Sequence, residues 1–235
     1  MNFNILKNEF KKIFTNKATV WSVFGIVVIW SLIFGFTVPE IDAPNLQIAS
    51  NNLYISLSTL IGFFVTYLIA TQVFLAEKRE KTIETLLCTP LSLKEIWKIK
   101  SVATAIFAEL SCIFSVILVY ICGFFPKSNI LFPSWNVFIY LFVVLPLFLC
   151  AIAGLLGYIE FLFGMKENRI VNFIIVFAIV FGFNFVGASM KKGGFSSWIF
   201  LVIILCISLA LLILESFLTK YLNKEKIVTS IEDVT

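Results

Sequence analysis

Six long apolar runs divide the chain, at residues 18–38, 53–75, 101–125, 135–163, 170–186 and 198–218. Each is near or above the roughly 17 to 25 residues that a helix needs to cross the hydrocarbon of a bilayer. None shows the short apolar–polar alternation of a membrane strand, so the backbone must satisfy its polar groups within helices. Residues 1–17 read differently. Phe3, Leu6, Phe10, Ile13 and Phe14 recur at three- and four-residue steps, with Lys7, Lys11 and Lys12 on other faces, the pattern of a helix lying in the headgroup plane. This stretch is too charged for the n-region of a signal peptide, and the run after it is too long for an h-region. The predicted fold is all-α and integral to the membrane. An amphipathic interfacial (elbow) helix over 1–17 precedes six transmembrane helices over 18–218, and a polar tail occupies 219–235.

One stretch, residues 76–100, breaks this apolar pattern for longer than any other. Ile83, Leu86 and Leu87 fall at i, i+3 and i+4 and form a short helical stripe, while Glu77 and Lys81 stand at the favourable i, i+4 spacing. Pro90 has no N–H and pushes Thr89 toward an extended conformation, which ends the first helix. Ser92 followed by Glu95 is a capping box that starts a second one. That second helix carries Trp97, Lys98 and Lys100 to the predicted water boundary and continues into the third apolar run, so a push on the short helix reaches a span.

Charge fixes an orientation. With the N-terminus inside, the connections on that side collect 15 of the 18 basic residues, and only Lys127, Lys191 and Lys192 fall outside. The excess predicts that both termini and the 76–100 loop are cytoplasmic and that the protein is multi-pass in the plasma membrane. The net charge of +4 is then a topology signal, and no basic patch interleaved with aromatic residues points to nucleic acid.

Hydrophobic residues make up 60% of the chain and charged ones 14%, outside the range of soluble domains. There is no histidine, which removes the usual general base and the Ser-His-Asp and Cys-His nucleophile systems. The five cysteines, Cys88, Cys112, Cys122, Cys150 and Cys206, have neither metal-ligand nor disulfide-framework spacing. No phosphate-binding Gly-x-x-x-x-Gly-Lys-Ser/Thr loop occurs, so a nucleotide that drives this protein must bind another polypeptide. The chain is expected to hold no catalytic residue, no metal and no cofactor of its own.

Within the spans, Glu109 lies eight residues past Ser101, roughly 12 Å into the hydrocarbon. A carboxylate at that depth faces a bundle interior or a watery cavity, as part of a translocation path or as a hydrogen-bonded structural group. Glu160 and Glu215 lie nearer the inner ends of spans 4 and 6 and read as anchors or as partners of Arg169 or Lys220. Pro146, Ala153, Gly154 and Gly157 in span 4 allow a kink and a close helix contact. Asn172 and Asn184 either line a polar path or tie helices together.

Glu77, Thr82, Glu84, Leu86, Leu87, Pro90, Glu95, Ile96 and Lys100 stand in the order found in the cytoplasmic loop between spans 2 and 3 of the ABC transporter type-2 permease family. The chain resembles that family in its order of elbow helix, spans and charged loop as well, although Lys81 stands where the family commonly has Gly. The resemblance implies the membrane subunit of an ATP-driven ABC exporter. It implies that two six-span subunits, the same chain twice or two homologous chains, form the path, and that separate ATPase subunits carry ATP and Mg. Glu77, Glu80, Thr82, Ile83, Glu84, Leu86, Leu87 and Pro90 would couple to the ATPase, and Glu109 is the candidate for the translocation path. The alternative is a secondary transporter in which Glu109 carries a proton.

Overall fold

The computed structural model describes residues 3–37, 46–75, 92–122, 132–162, 170, 173–175, 177, 181 and 197–221. Helices are the only regular elements among them: α1 (Phe3–Thr15), α2 (Lys17–Thr37), α3 (Leu46–Ala70), α4 (Leu93–Cys122), α5 (Trp135–Leu162) and α6 (Ser197–Leu218). Five of these, α2 to α6, are long and apolar enough to cross a membrane. The predicted span at 170–186 lies largely outside the described residues, of which Ile170, Phe173, Ile174, Ile175, Phe177 and Phe181 are helical.

Helices α3 and α4 form the centre. Helix α4 packs on α1, α2, α3 and α5, and α6 closes against α5 and α3. Five consecutive residues of α3, Leu53 to Leu57, are buried, so the helix is enclosed on every side. The outer helices instead turn large side chains outward, among them Trp21, Ile29 and Ile33 of α2 and Ile213 and Phe217 of α6. Several hydroxyls inside the second span are satisfied locally. Ser58 donates to Tyr54 O at 2.7 Å, Thr59 to Ile55 O at 2.6 Å, and Ser56 to Asn52 O, so hydroxyls enter hydrocarbon without unmet donors.

The second span begins seven residues before the apolar run predicted it, at Leu46 instead of Leu53. Gln47, Ser50, Asn51 and Asn52 read as loop by polarity, but tertiary partners draw them into the helix. Asn51 is buried and its Oδ1 accepts from the Ser134 N–H at 3.2 Å, while Gln47 Nε2 donates to Phe132 O at 3.1 Å. These bonds tie the start of α3 to the start of α5 and satisfy one of the N–H groups that a helix terminus leaves open. In α5 the strain expected at Pro146 is absorbed one step earlier. A π-helical turn spans Tyr140–Val144, with Leu145 N–H bonded to Tyr140 O, where the proline ring would otherwise crowd the preceding turn.

Glycines set the closest approaches. A β-carbon at Gly62 would stand 2.8 Å from Leu149 Cδ2 and 2.9 Å from Cys112 Sγ, so α3, α4 and α5 meet only because that atom is missing. At the far end Gly35 lies against Cys122, and the Ser31 and Ser115 hydroxyls bond at 2.8 Å between α2 and α4. Cys112 and Cys122 are buried, whereas Cys206 of α6 is exposed. Gly62→Val is expected to force the three central helices apart at a cost of about 1–3 kcal/mol. Thermal unfolding in detergent measures it, and an unchanged midpoint would mean that the contact yields freely.

Candidate functional site

The candidate site is the end of the bundle where the chain leaves α3 and re-enters at α4. Residues 76–91 lie outside the described residues, and with them Glu77, Glu80, Thr82, Ile83, Glu84, Leu86, Leu87 and Pro90. Both flanks are described. On the exit side α3 ends in a π-helical turn, Thr71–Leu75, and on the return side α4 starts with the predicted capping box. Ser92 N–H and Oγ bond to Glu95 Oε2 at 3.0 and 2.8 Å, and Glu95 N–H reaches Ser92 Oγ at 3.3 Å.

Each flank is keyed into other helices. Phe74 is fully buried, meets Phe161 edge-on with ring centroids 5.0 Å apart, and lies over Gly157, where a β-carbon would be 2.5 Å from its ring. Thr71 donates to Glu160 Oε1 at 3.4 Å, and Glu160 is buried. On the return side Trp97 Nε1 donates to Gly154 O at 3.1 Å. A β-carbon at Gly154 would strike the Glu215 carboxyl group and come within 3.0 Å of Trp97 Cζ2, so α4, α5 and α6 converge on one small residue. Glu215 also interacts electrostatically with Lys98. The glycines of span 4 thus make the close contact expected of them, and their occupants are the two flanks of the charged loop.

Lys100 departs from the sequence reading. Neither it nor Trp97 stands at a water boundary: they are 1% and 2% exposed. The Lys100 ammonium lies 3.0 Å from Glu9 Oε2 of α1, and its Nζ is 6.0 Å from the centre of the Phe74 ring. Lys12, itself exposed, holds the other oxygen of Glu9 at 3.2 Å. A charge carried on a helix that enters the bundle needs a counter-charge, and α1 supplies it. The sequence carried a signal for this partner, since Glu9 is the one acidic residue ahead of Glu40. Burial raises the pKa of the Glu9 carboxyl, and the ammonium groups of Lys100 and Lys12 more than offset that, leaving it below its ordinary 4.5.

Residues 2–160 match the family profile described as ABC-2 type transporter, which takes in Glu9, both loop flanks, Lys100, Glu109 and the Gly154 to Glu160 turn of α5. The chain belongs to the ABC-2 type transporter family. It is a transmembrane permease component of an ABC transporter, and a component of this kind is not itself catalytic. No curated protein and no solved structure matches the chain. Glu215 and all of α6 lie beyond the matched stretch.

Glu109 occupies a second place in the permease, in the middle of the bundle. Both of its carboxylate oxygens are sealed from the surface, and neither has a hydrogen-bond partner among the described residues. It acts electrostatically on Cys112, Tyr140 and Cys150, which brings α4 and α5 to one polar spot. Tyr140 and Thr59 share a hydroxyl bond of 2.6 Å there, and Cys112 Sγ donates to Ser58 O at 3.3 Å. The structure therefore brings Glu109 into a core cluster that spacing did not foretell, separate from the loop flanks. Asn172 and Asn184 lie outside the described residues, as does Arg169.

Glu9→Gln is expected to destabilise the permease by about 3–5 kcal/mol by leaving the Lys100 ammonium buried without its counter-charge, and adding Lys100→Met should restore most of it. Because the Glu9 pKa is depressed in the folded state, the ion pair stabilises above pH 4.5 and its contribution fades as pH falls through the lower folded value. Unfolding midpoints of the unaltered chain should accordingly drop on acidification below pH 4.5 more steeply than those of the double variant.

Proposed function

We propose that this permease is the path-forming subunit of an ATP-driven exporter and that the 76–91 segment docks on a separate ATPase, which binds ATP and Mg. The observation that carries the reading is the anchoring of both flanks of that segment. Phe74 and Thr71 hold α5 on one side, and Trp97, Lys98 and Lys100 hold α5, α6 and α1 on the other. A load applied between the flanks is therefore passed from α3 and α4 to three further helices, α1, α5 and α6, instead of bending a loose connection. The stripe of Ile83, Leu86 and Leu87 with Glu77, Glu80 and Glu84 around it suits a groove with an apolar floor and a basic rim, entered at Thr82 and closed by Pro90.

The same reading places both termini and the loop in the cytoplasm, on the basic side of a plasma membrane. A second permease subunit, identical or homologous, would complete the path. Glu109 would face the path through the polar cluster at Tyr140, where ATP-driven motion of α4 against α5 changes its exposure. Nothing in the family membership favours the proton-coupled alternative.

Leu86→Ala with Leu87→Ala is expected to remove roughly 2–5 kcal/mol of docking energy and to weaken recovery of the co-purifying ATPase more than tenfold. Glu84→Lys should impair docking by setting a like charge against the basic rim, with insertion of the permease unchanged. Normal ATPase recovery with all three residues changed would reduce the segment to a solvated connection. For Glu109, the Gln variant is expected to insert and to recover the ATPase normally but to change ATP turnover of the reconstituted complex severalfold, and unaltered turnover would make the residue structural.

A further inference from the structure

A cavity of about 280 Å³ opens between α2 and α4. Its walls are two facing stripes with the i, i+3, i+4, i+7 spacing, one beginning at Val20 and ending at Val27, the other beginning at Phe107 and ending at Phe114. Ser111 is the one polar member, and its hydroxyl is engaged with Phe107 O at 3.0 Å. Aromatic pairs brace the groove: Phe24 stacks on Phe114 at 5.5 Å, and Phe14 of α1 closes the near end edge-on to Phe107 at 5.2 Å. The open side is flanked by Phe14, Phe24 and Leu110, each about half exposed, on a surface that a membrane protein turns to hydrocarbon.

We propose that this groove binds one acyl chain of an anionic phospholipid whose phosphate is held by Lys11 and Lys17. Shape, wall chemistry and charge select this occupant. The groove runs for seven residues, about 10 Å, along two helices. That suits a single hydrocarbon chain, whereas a stable subunit interface buries about 800 Å² on each partner. Water is disfavoured because the walls offer it only the lone pairs of the Ser111 hydroxyl, fewer than the two to four polar partners that a buried water needs. The charge stands at one end. Lys17 stands three residues, about one helical turn, before Val20 on the same stripe of α2, at the base of the groove, and Lys11 stands one helical turn before Phe14. Both lysines are exposed and form no ion pair among the described residues, whereas Lys12 is engaged by Glu9. The bound lipid would wedge α1, α2 and α4 together beside the Glu9–Lys100 pair.

The inference rests on α2 and α4 crossing the membrane and not on ATPase docking, so either can fail alone. The test uses the full-length permease in phosphatidylcholine nanodiscs with phosphatidylglycerol that carries a diazirine in its acyl chain, and peptide mapping after irradiation. Adducts are expected on the segments that hold Val20 to Val27 and Phe107 to Phe114, and unlabelled phosphatidylglycerol should compete better than phosphatidylcholine. Ser111→Leu, which fills the groove, should abolish these adducts and leave those on the outer face of α6 near Ile213 and Phe217 intact. Lys11→Gln and Lys17→Gln should each weaken competition by phosphatidylglycerol about fivefold, as expected for one lysine near an anionic surface. Equal competition by both lipids, indifference to the lysines, labelling that survives Ser111→Leu, or crosslinks showing a second copy of the chain seated in the groove would each overturn the proposal.

Discussion

An ammonium group taken out of water must meet a counter-charge or give up its charge, and at Lys100 the fold meets that demand with Glu9 at 3.0 Å. The consequence reaches well past one ion pair. Helix α1 has to sit at the foot of α4, which fixes where α2 enters the bundle and sets Phe14 against Phe107. The same ammonium lies near Phe74, so the pair also borders the point where the chain leaves α3. One buried charge thereby joins the N-terminal helix to both flanks of the charged loop.

Packing elsewhere obeys a different limit. In lipid an apolar side chain gains nothing by choosing protein over acyl chains through the hydrophobic effect, so helices associate where small residues let them come close and polar groups find partners. Gly62 and Gly35 serve the first need, and the Ser31–Ser115 and Thr59–Tyr140 hydroxyl bonds the second. At Gly154 and Gly157 both needs coincide. The missing β-carbons make room for Phe74, Trp97 and Glu215, and the Gly154 carbonyl exposed by that absence accepts the Trp97 N–H.

These two kinds of contact divide the labour of an ABC-2 permease in a physically sensible way. At the loop end, α3 and α4 are tied to α1, α5 and α6 through an ion pair, hydrogen bonds and ring contacts that have defined partners. In the middle, Glu109 stands in a cluster of hydroxyls and thiols whose hydrogen bonds are easily exchanged, a setting in which a small shift of α4 against α5 changes what the carboxylate meets. On the reading proposed above, the first region receives motion and the second responds to it. The groove between α2 and α4 lies on the lipid side of the same pathway, where an occupant would stiffen the joint between α1 and the bundle.

The chain alone determined its helical class, the crossing segments that the structure describes, the capping box at Ser92 and Glu95, and its family, because each depends on local spacing or on runs of composition that hold whatever the helices touch. The stripe at Leu86 and Leu87 was equally legible as a pattern, although it lies outside the described residues. Tertiary structure decided the rest. The early start of α3 at Leu46 depends on Asn51 finding Ser134, 83 residues away. Lys100 looked like a boundary lysine because it closes the charged stretch that holds Lys94, Glu95 and Lys98, and it is buried because Glu9, 91 residues earlier, is brought to it. Glu215 reads in the sequence as an anchor or as a partner of Arg169 or Lys220, and the structure sets its carboxyl group against Gly154 with Lys98 as an electrostatic partner. Periodicity tells which face of a helix is apolar, since that is a property of one helix. Which charge faces which depends on how separate helices are rotated and offset against one another, and that is set by where glycines permit contact and where buried charges require it.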